Sequence, residues 1–344
     1  MDRIFKKADI VFLSGDINTF YFSRYRGEGV FVATATDAKY FTDPRYSEEA
    51  KEQAACAVVE SKKPFADAAA LIKEHGGTVG CDFSEMTHSA FLRLAAELDS
   101  LKLVDISAEI KEIRSVKSDA ETELIKAAAA INDKAYAELL SRVREGMTEM
   151  DMAAELEYLM KLNGAEALAF ETIAAFGENG SRPHAHPSQR KLRRGDMVTL
   201  DFGAKRSGYC SDITRTFSFG NPSEKMKSVY ETVLSANLVG LSAALAGVKA
   251  CDVDTAARSY IAEKGMGEYF THSTGHGVGA EIHELPWVNP TNETILIRNM
   301  VITVEPGIYI PDLGGVRIED LVVIKEDGLP AEILSKTPKE LIIM

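Results

Sequence analysis

Two stretches of this sequence place acidic residues where they could do chemistry together. In MVTLDFGA the alternation of a β-strand puts Val198 and Leu200 on one face and Thr199 and Asp201 on the other. Gly203 to Gly208 can turn the chain, and YCSDITRTF then reads as a second strand with Asp212, Thr214 and Thr216 on a shared face. The result is a hairpin with two carboxylates. VITVEPGIYI presents Thr303 and Glu305 together, and GVRIEDLVVI presents Arg317 and Glu319 together, a second hairpin with two more. Four carboxylates meet if the hairpins pack face to face. Like charges that close either take up protons or need cations, so divalent metal is expected: manganese first, with cobalt, iron or zinc fitting once an imidazole joins. Five of the 7 histidines fall between His184 and His283, and HSTGHGVGAEIHE supplies His272, His276 and His283. Gly275, Gly277 and Gly279 would let backbone approach an ion or a substrate closely. Taken singly, each motif also has an ordinary reading, the aspartates as turn or cap residues and Gly-His-Gly as a loop.

These residues need elements to hold them. The chain first alternates strand and helix: VFVATATDAKYFTD is a strand region, SEEAKEQAA and PFADAAALIKEHGG are helical, TVGCDF is a strand, SAFLRLAAEL a helix and KLVDIS a strand. This predicts an N-terminal domain over 1–113. Ser118-Asp119-Ala120-Glu121 is a capping box, and Leu124, Ile125, Ala128, Ile131, Ala135 and Leu139 recur at helical spacing after it. Thr148-x-x-Asp151 opens another helix, which Gly164 ends. The order then repeats: Gly146 to Gly164 resembles Gly247 to Gly265, and MVTLDFG resembles VITVEPG. A second domain over 114–344, built of two similar halves, is expected. The fold class is α/β (α+β).

At 344 residues the chain exceeds what one core usually serves. Its 39 Lys and Arg against 52 Asp and Glu, net -13, argue against binding nucleic acid. No apolar run is long enough for a membrane span, and the apolar run near the N-terminus, Ile10 to Leu13, is too short for a signal peptide. Cys56, Cys81, Cys210 and Cys251 lie far apart with no CxxC spacing, so reduced thiols and a cytoplasmic location are expected.

Taken together, DFGAKRSGYCSD, STGHGVGAEIHE, TVEPGIYIP and GVRIED resemble, in order and spacing, the pita-bread metallopeptidases, the group of methionine aminopeptidase, prolidase and aminopeptidase P. The resemblance implies that Asp201, Asp212, His276, Glu305 and Glu319 hold two divalent ions, with Asp212 and Glu319 in the shared shell and Glu305 handling a water proton as general base. It makes His184 and His283 donors to the substrate amide and its developing oxyanion. Without it, His184 reads as a loop histidine beside Pro183 and Pro187, and His186 reads so in either case. His272 matches a further histidine near the substrate or braces the glycine-rich loop. Arg317 offsets the carboxylates or makes a surface ion pair, and Tyr309 stands near the metals or packs as core.

YFSRYRGEGVFVATATDAKYFTDPRYSEEA resembles the N-terminal domain of the creatinase and prolidase branch. This implies cleavage before proline, small peptides with proline at the second position as substrates, and a homodimer in which the N-terminal domain of one subunit borders the other's site. Methionine aminopeptidase-like activity, a creatinase-like hydrolase and a non-catalytic binding protein on the same fold are the alternatives. Dipeptide and longer substrates both remain open: some prolidases carry an arginine four residues after the second histidine, where this chain has Trp287, and Ala280 stands where relatives often have a larger aliphatic residue.

Overall fold

Alternation along one short strand organises the N-terminal unit. Ile10 and Phe12 of Ile10–Leu13 enter one apolar cluster with Ala68, Ile72, Leu94 and Leu98, whereas Val11 and Leu13 enter another with Tyr40, Ile106 and Ile110. Both faces of the sheet are thereby covered. The computed structural model describes residues 2–99, 101–326 and 328–344, and divides into two compact units, Met1–Arg114 and Ser115–Met344. The first holds a six-stranded mixed sheet in the order Ala57–Glu60, Ala38–Thr42, Gly29–Ala33, Ile10–Leu13, Thr78–Cys81, Lys102–Asp105. Helices Pro64–His75 and His88–Leu98 form where the composition predicts them.

The second unit is built twice. Helix Asp119–Leu140 carries the predicted capping box at Ser118 and Glu121, and Glu149–Leu162 has one at Thr148 and Asp151. Left-handed Gly146 (φ 84°) separates them and Gly164 (φ 102°) follows. Helices Glu224–Ala243 and Ala250–Glu263 have Gly247 (φ 83°) and Gly265 (φ 73°) in the same places. Backbone bonds agree in detail. Gly146 N–H reaches Leu192 O and Leu192 N–H reaches Met147 O, while Gly247 N–H reaches Leu296 O and Leu296 N–H reaches Val248 O. The halves differ at the caps, since Lys249 makes no side-chain cap bond where Thr148 does. Each helix pair is followed by a sheet: Ile173–Phe176, Asp196–Phe202 and Ile213–Phe219 in the first half, and five strands around Gly275–Gly277, Val301–Val304 and Asp320–Val323 in the second.

Both hairpins depart from the continuous ladders expected of them, and they do so at the acidic residues. Asp201 pairs opposite Thr214, but the chain leaves that sheet at Gly203, and Ala204–Arg206 pairs with Ala167–Leu168 and Tyr209–Cys210. Asp212 therefore precedes a strand rather than lying within one. Likewise Val301–Val304 pairs with Asp320–Val323, whereas Gly307–Ile310 pairs with Gly314–Arg317 in a separate sheet. Glu305, Pro306, Ile318 and Glu319 lie in the gap, so Arg317 and Glu319 do not share the uninterrupted strand face that alternation predicts. Pro306 has no N–H for a ladder. At Gly203 a Cβ would fall 2.2 Å from Ser211 O, an approach only glycine permits.

Candidate metal centre

The two breaks bring the acidic residues together around His276. Asp212 Oδ2 lies 3.5 Å and Glu305 Oε1 3.4 Å from His276 Nε2. Ligand atoms of Asp212, His276 and Glu319 all lie within 4.8 Å of one another. Asp201 Oδ2 accepts from Arg317 Nη2 at 2.6 Å, and Glu319 Oε2 accepts from Thr214 Oγ1 at 2.7 Å. Asp201 Oδ1, Asp212 Oδ1 and Glu319 Oε1 are buried with no hydrogen-bond partner. All five residues expected to be ligands thus converge.

Electrostatics shows what such a cluster lacks. Burial pushes the Asp212 carboxyl well above its ordinary range, and Glu319, Asp201 and Glu305 add to the effect. Glu319 is raised by burial and then by Glu305 and Asp201, and burial lifts Glu305 to about 8 despite the nearby Arg317. His276 supplies no counter-charge, because burial lowers its pKa to about 4. Its Nδ1 lies 3.0 Å from Gly277 O, an acceptor, so the proton sits on Nδ1 and the Nε2 lone pair faces the carboxylates. A lone pair aimed at carboxylate oxygens is repulsive unless a proton or a metal cation lies between them. Three partnerless carboxylate oxygens and an oriented neutral imidazole therefore fit divalent ions.

Arg317 is a buried cation at the cluster, not a surface ion pair. Its Nε donates to Thr214 Oγ1 (3.0 Å), Nη1 to Tyr309 Oη (2.8 Å) and Pro183 O (3.2 Å), and Nη2 to Asp201. Tyr309 Oη in turn donates to His272 Nε2 at 2.8 Å, since His272 Nδ1 gives its proton to Ser273 O at 2.7 Å. Burial, with Arg317 nearby, lowers His272 to about 3 and keeps it neutral. His272 and Tyr309 therefore brace Arg317, with both ring nitrogens of the histidine engaged.

A cavity of about 510 Å³ opens onto the cluster, and His184, His186, His272, His283 and Trp287 line it. His184 and His283 are exposed to this space, and burial lowers the His283 pKa. The His283 ring stands 4.4 Å from that of His276 and stacks on Trp287 at 5.9 Å. Motif reading set His186 aside, yet it shares the cavity wall. It also passed over Phe170, Glu171, Thr172 and Ile173, which form another part of that wall.

Two buried carboxylates given no role in the sequence reading hold the histidine loops. Glu149 accepts from Phe176 N (2.7 Å), Ser188 N (3.0 Å) and Asn179 Nδ2 (3.0 Å), closing the segment that carries His184. Glu284, next to His283, accepts from Lys117 Nζ at 3.0 Å and from Glu281 N at 3.1 Å. The available signal for Glu149 was its place in the first turn of a capped helix, which is weak because acids are common there.

Residues 123–326 match Metallopeptidase family M24, and residues 5–116 match the Creatinase/Prolidase N-terminal domain. The chain belongs to metallopeptidase family M24. Within that family it is 41% identical over 336 residues to an Xaa-Pro dipeptidase of Pyrococcus furiosus, covering 97% of this chain and 95% of that protein. The structure of an Xaa-Pro dipeptidase from Bacillus anthracis superposes with a TM-score of 0.94 at 39% identity, over 98% of this chain and 95% of that one. An X-Pro aminopeptidase from Thermotoga maritima superposes with a TM-score of 0.93 at 36% identity, over 98% of both chains. As an M24 metallopeptidase the chain is a hydrolase, with a creatinase-type N-terminal domain and a pita-bread C-terminal domain, and family membership implies two divalent ions. Among the described residues, no helix is long and apolar enough to cross a membrane.

Proposed function

We propose that this M24 peptidase hydrolyses the bond between an N-terminal residue and proline, with Xaa-Pro dipeptides as its first substrates. The observation that carries the reading is the convergence of Asp201, Asp212, His276, Glu305 and Glu319, with three unpartnered carboxylate oxygens, beside an open cavity. The names of the Pyrococcus furiosus and Bacillus anthracis proteins support the substrate. The match to a creatinase/prolidase N-terminal domain disfavours a methionine aminopeptidase, and the intact ligand set disfavours both a metal-free hydrolase and a binding protein.

In this reading Asp201, Asp212, His276, Glu305 and Glu319 hold two manganese ions, cobalt, iron and zinc being able to substitute. When bound, the ions supply Lewis-acid polarisation of the scissile carbonyl and lower the pKa of an attacking water. Glu305, at the edge of this cluster, takes the water's proton as general base. It returns a proton to the proline nitrogen, which has no hydrogen of its own and leaves only when protonated. His184 and His283, on two loops that line one cavity, donate to the substrate carbonyl as it gains negative charge. Arg317, braced by Tyr309 and His272, holds Asp201 in its orientation.

A second substrate reading, removal of Xaa from longer Xaa-Pro-Yaa peptides, is favoured by the apolar ring of Trp287 in the cavity wall and by the name of the Thermotoga maritima relative. Assaying the manganese-loaded enzyme on Xaa-Pro, Xaa-Pro-Yaa and Met-Ala-Ser peptides separates the readings. Fast cleavage of Xaa-Pro is expected, and fast cleavage of Met-Ala-Ser alone would overturn the proposal. We place the enzyme in the cytoplasm, consistent with four free thiols. We also assign it a homodimer on the pattern of its branch, and a monomer by gel filtration would refute that assignment.

A further inference from the structure

Each half of the catalytic unit buries one asparagine on a helix face that otherwise packs apolar side chains. Asn132 is 1% exposed and Asn237 0%. They stand at the same distance from the serines that cap their helices, Ser118 and Ser223, and are counterparts in the two halves. Asn132 Oδ1 accepts from Ala204 N at 2.9 Å, and its Nδ2 donates to Ser211 Oγ at 2.9 Å. Asn237 Nδ2 donates to Val304 O at 2.9 Å and to Ile318 O at 3.3 Å.

These contacts fall where the two hairpins change sheets. Val304 and Ile318 immediately precede Glu305 and Glu319, and Ser211 immediately precedes Asp212. The ladder is interrupted between Val304↔Asp320 and Gly307↔Arg317, and again between Phe202↔Ile213 and Lys205↔Cys210, and a single backbone bond crosses each break, Ile318 N–H to Pro306 O at 3.5 Å and Ser211 N–H to Ala204 O at 2.9 Å. The glutamate N–H groups are taken elsewhere, Glu305 by Thr274 O and Glu319 by Thr214 O. Beside that long backbone bond, one carboxamide ties the two sides of the second break to each other. Its two hydrogens diverge at a fixed angle from a rigid helix, so two carbonyls bound to it hold a set separation. Asn237 Oδ1 is itself buried without a partner. An apolar side chain of similar size would leave no such atom, so what the amide provides is its pair of donors.

We propose that Asn237 and Asn132 are positioning residues of the metal centre, Asn237 fixing the span between the backbones that lead into Glu305 and Glu319 and Asn132 bracing the Ala204–Ser211 crossing that leads into Asp212. The proposal rests on the reading that these carboxylates hold divalent ions. Neither asparagine touches the reacting atoms; each acts through the backbone next to a ligand.

The test is calorimetric titration of manganese into the metal-free full chain, with the melting temperature of the metal-free chain measured alongside. Asn237→Asp keeps the shape and removes both donors, and Asn237→Ser keeps one. Manganese affinity is expected to fall about tenfold or more in Asn237→Asp, as for other residues that orient metal ligands. It should recover in part in Asn237→Ser, and Asn132→Ala should also weaken binding. A purely structural asparagine would lower the melting temperature and leave affinity within twofold of wild type, and that result in either Asn237 variant overturns the proposal. If Asn237→Asp does not fold, Asn237→Ser is judged by the same criterion. A wild-type chain that binds no manganese refutes the metal reading itself, an outcome distinct from equal binding by wild type and variant.

Discussion

Carboxylates that are costly to ionise when metal-free are what a cation site looks like at the scale of single residues. Asp212, Glu305 and Glu319 are each held above their ordinary pKa by burial. A carboxyl whose pKa is higher folded than unfolded binds more protons in the native state, so stability falls as pH rises between the two values. For Glu305 that window runs from its ordinary value of 4.5 to about 8. The metal-free chain should therefore lose stability from this cluster as pH rises through that window, and manganese should restore it. Thermal melts should show a larger manganese-induced rise in melting temperature at pH 8 than at pH 5. An equal rise at both would contradict the charge balance described here. The convergence of the five candidate ligands was legible in the sequence because the order and spacing of their motifs are distinctive. The sequence offered Arg317 as an offset to the carboxylates but did not decide between that and an exposed ion pair, since a residue two positions from an acid serves either; its burial on Asp201 decides it.

Elements were legible in proportion to how local their determinants are. The capping boxes at Ser118 and Thr148 and the stops at Gly76 and Gly164 lie within a few residues of what they control, and those helices form as read. The hairpin breaks were not legible, because alternation runs unbroken through Glu305 and only tertiary contacts show where the ladder changes sheets. Asn132, Asn237 and Glu149 escaped for the same reason, since a buried polar residue and a wet one look alike in a helical pattern. Glu149 gives the prediction at this scale. Removing it in Glu149→Ala strands the amides of Phe176 and Ser188, so urea unfolding should show a loss of about 2–3 kcal/mol. The same variant should lose roughly tenfold in kcat/KM, because the loop bearing His184 is no longer held. Wild-type kcat/KM in a destabilised variant would remove His184 from the substrate's surroundings.

At the scale of the whole molecule, duplication explains why the centre lies where it does. Each half supplies a helix pair, a left-handed residue ahead of its acidic strand (Gly195, φ 93°, and Asn299, φ 67°) and a hairpin that breaks at two carboxylates. Neither half alone offers a complete ligand set, so the metal site requires both to be folded and paired. The excess of acid over base in the composition is thus partly a property of the site. The most direct test is to titrate the metal-free chain with manganese while following both the metal bound per chain and the hydrolysis of an Xaa-Pro dipeptide. Activity should be absent at the start and reach its plateau at two ions per chain, and His276→Ala should lose at least about 100-fold in kcat/KM. Full hydrolysis by the metal-free chain, or wild-type hydrolysis by His276→Ala, would contradict the account.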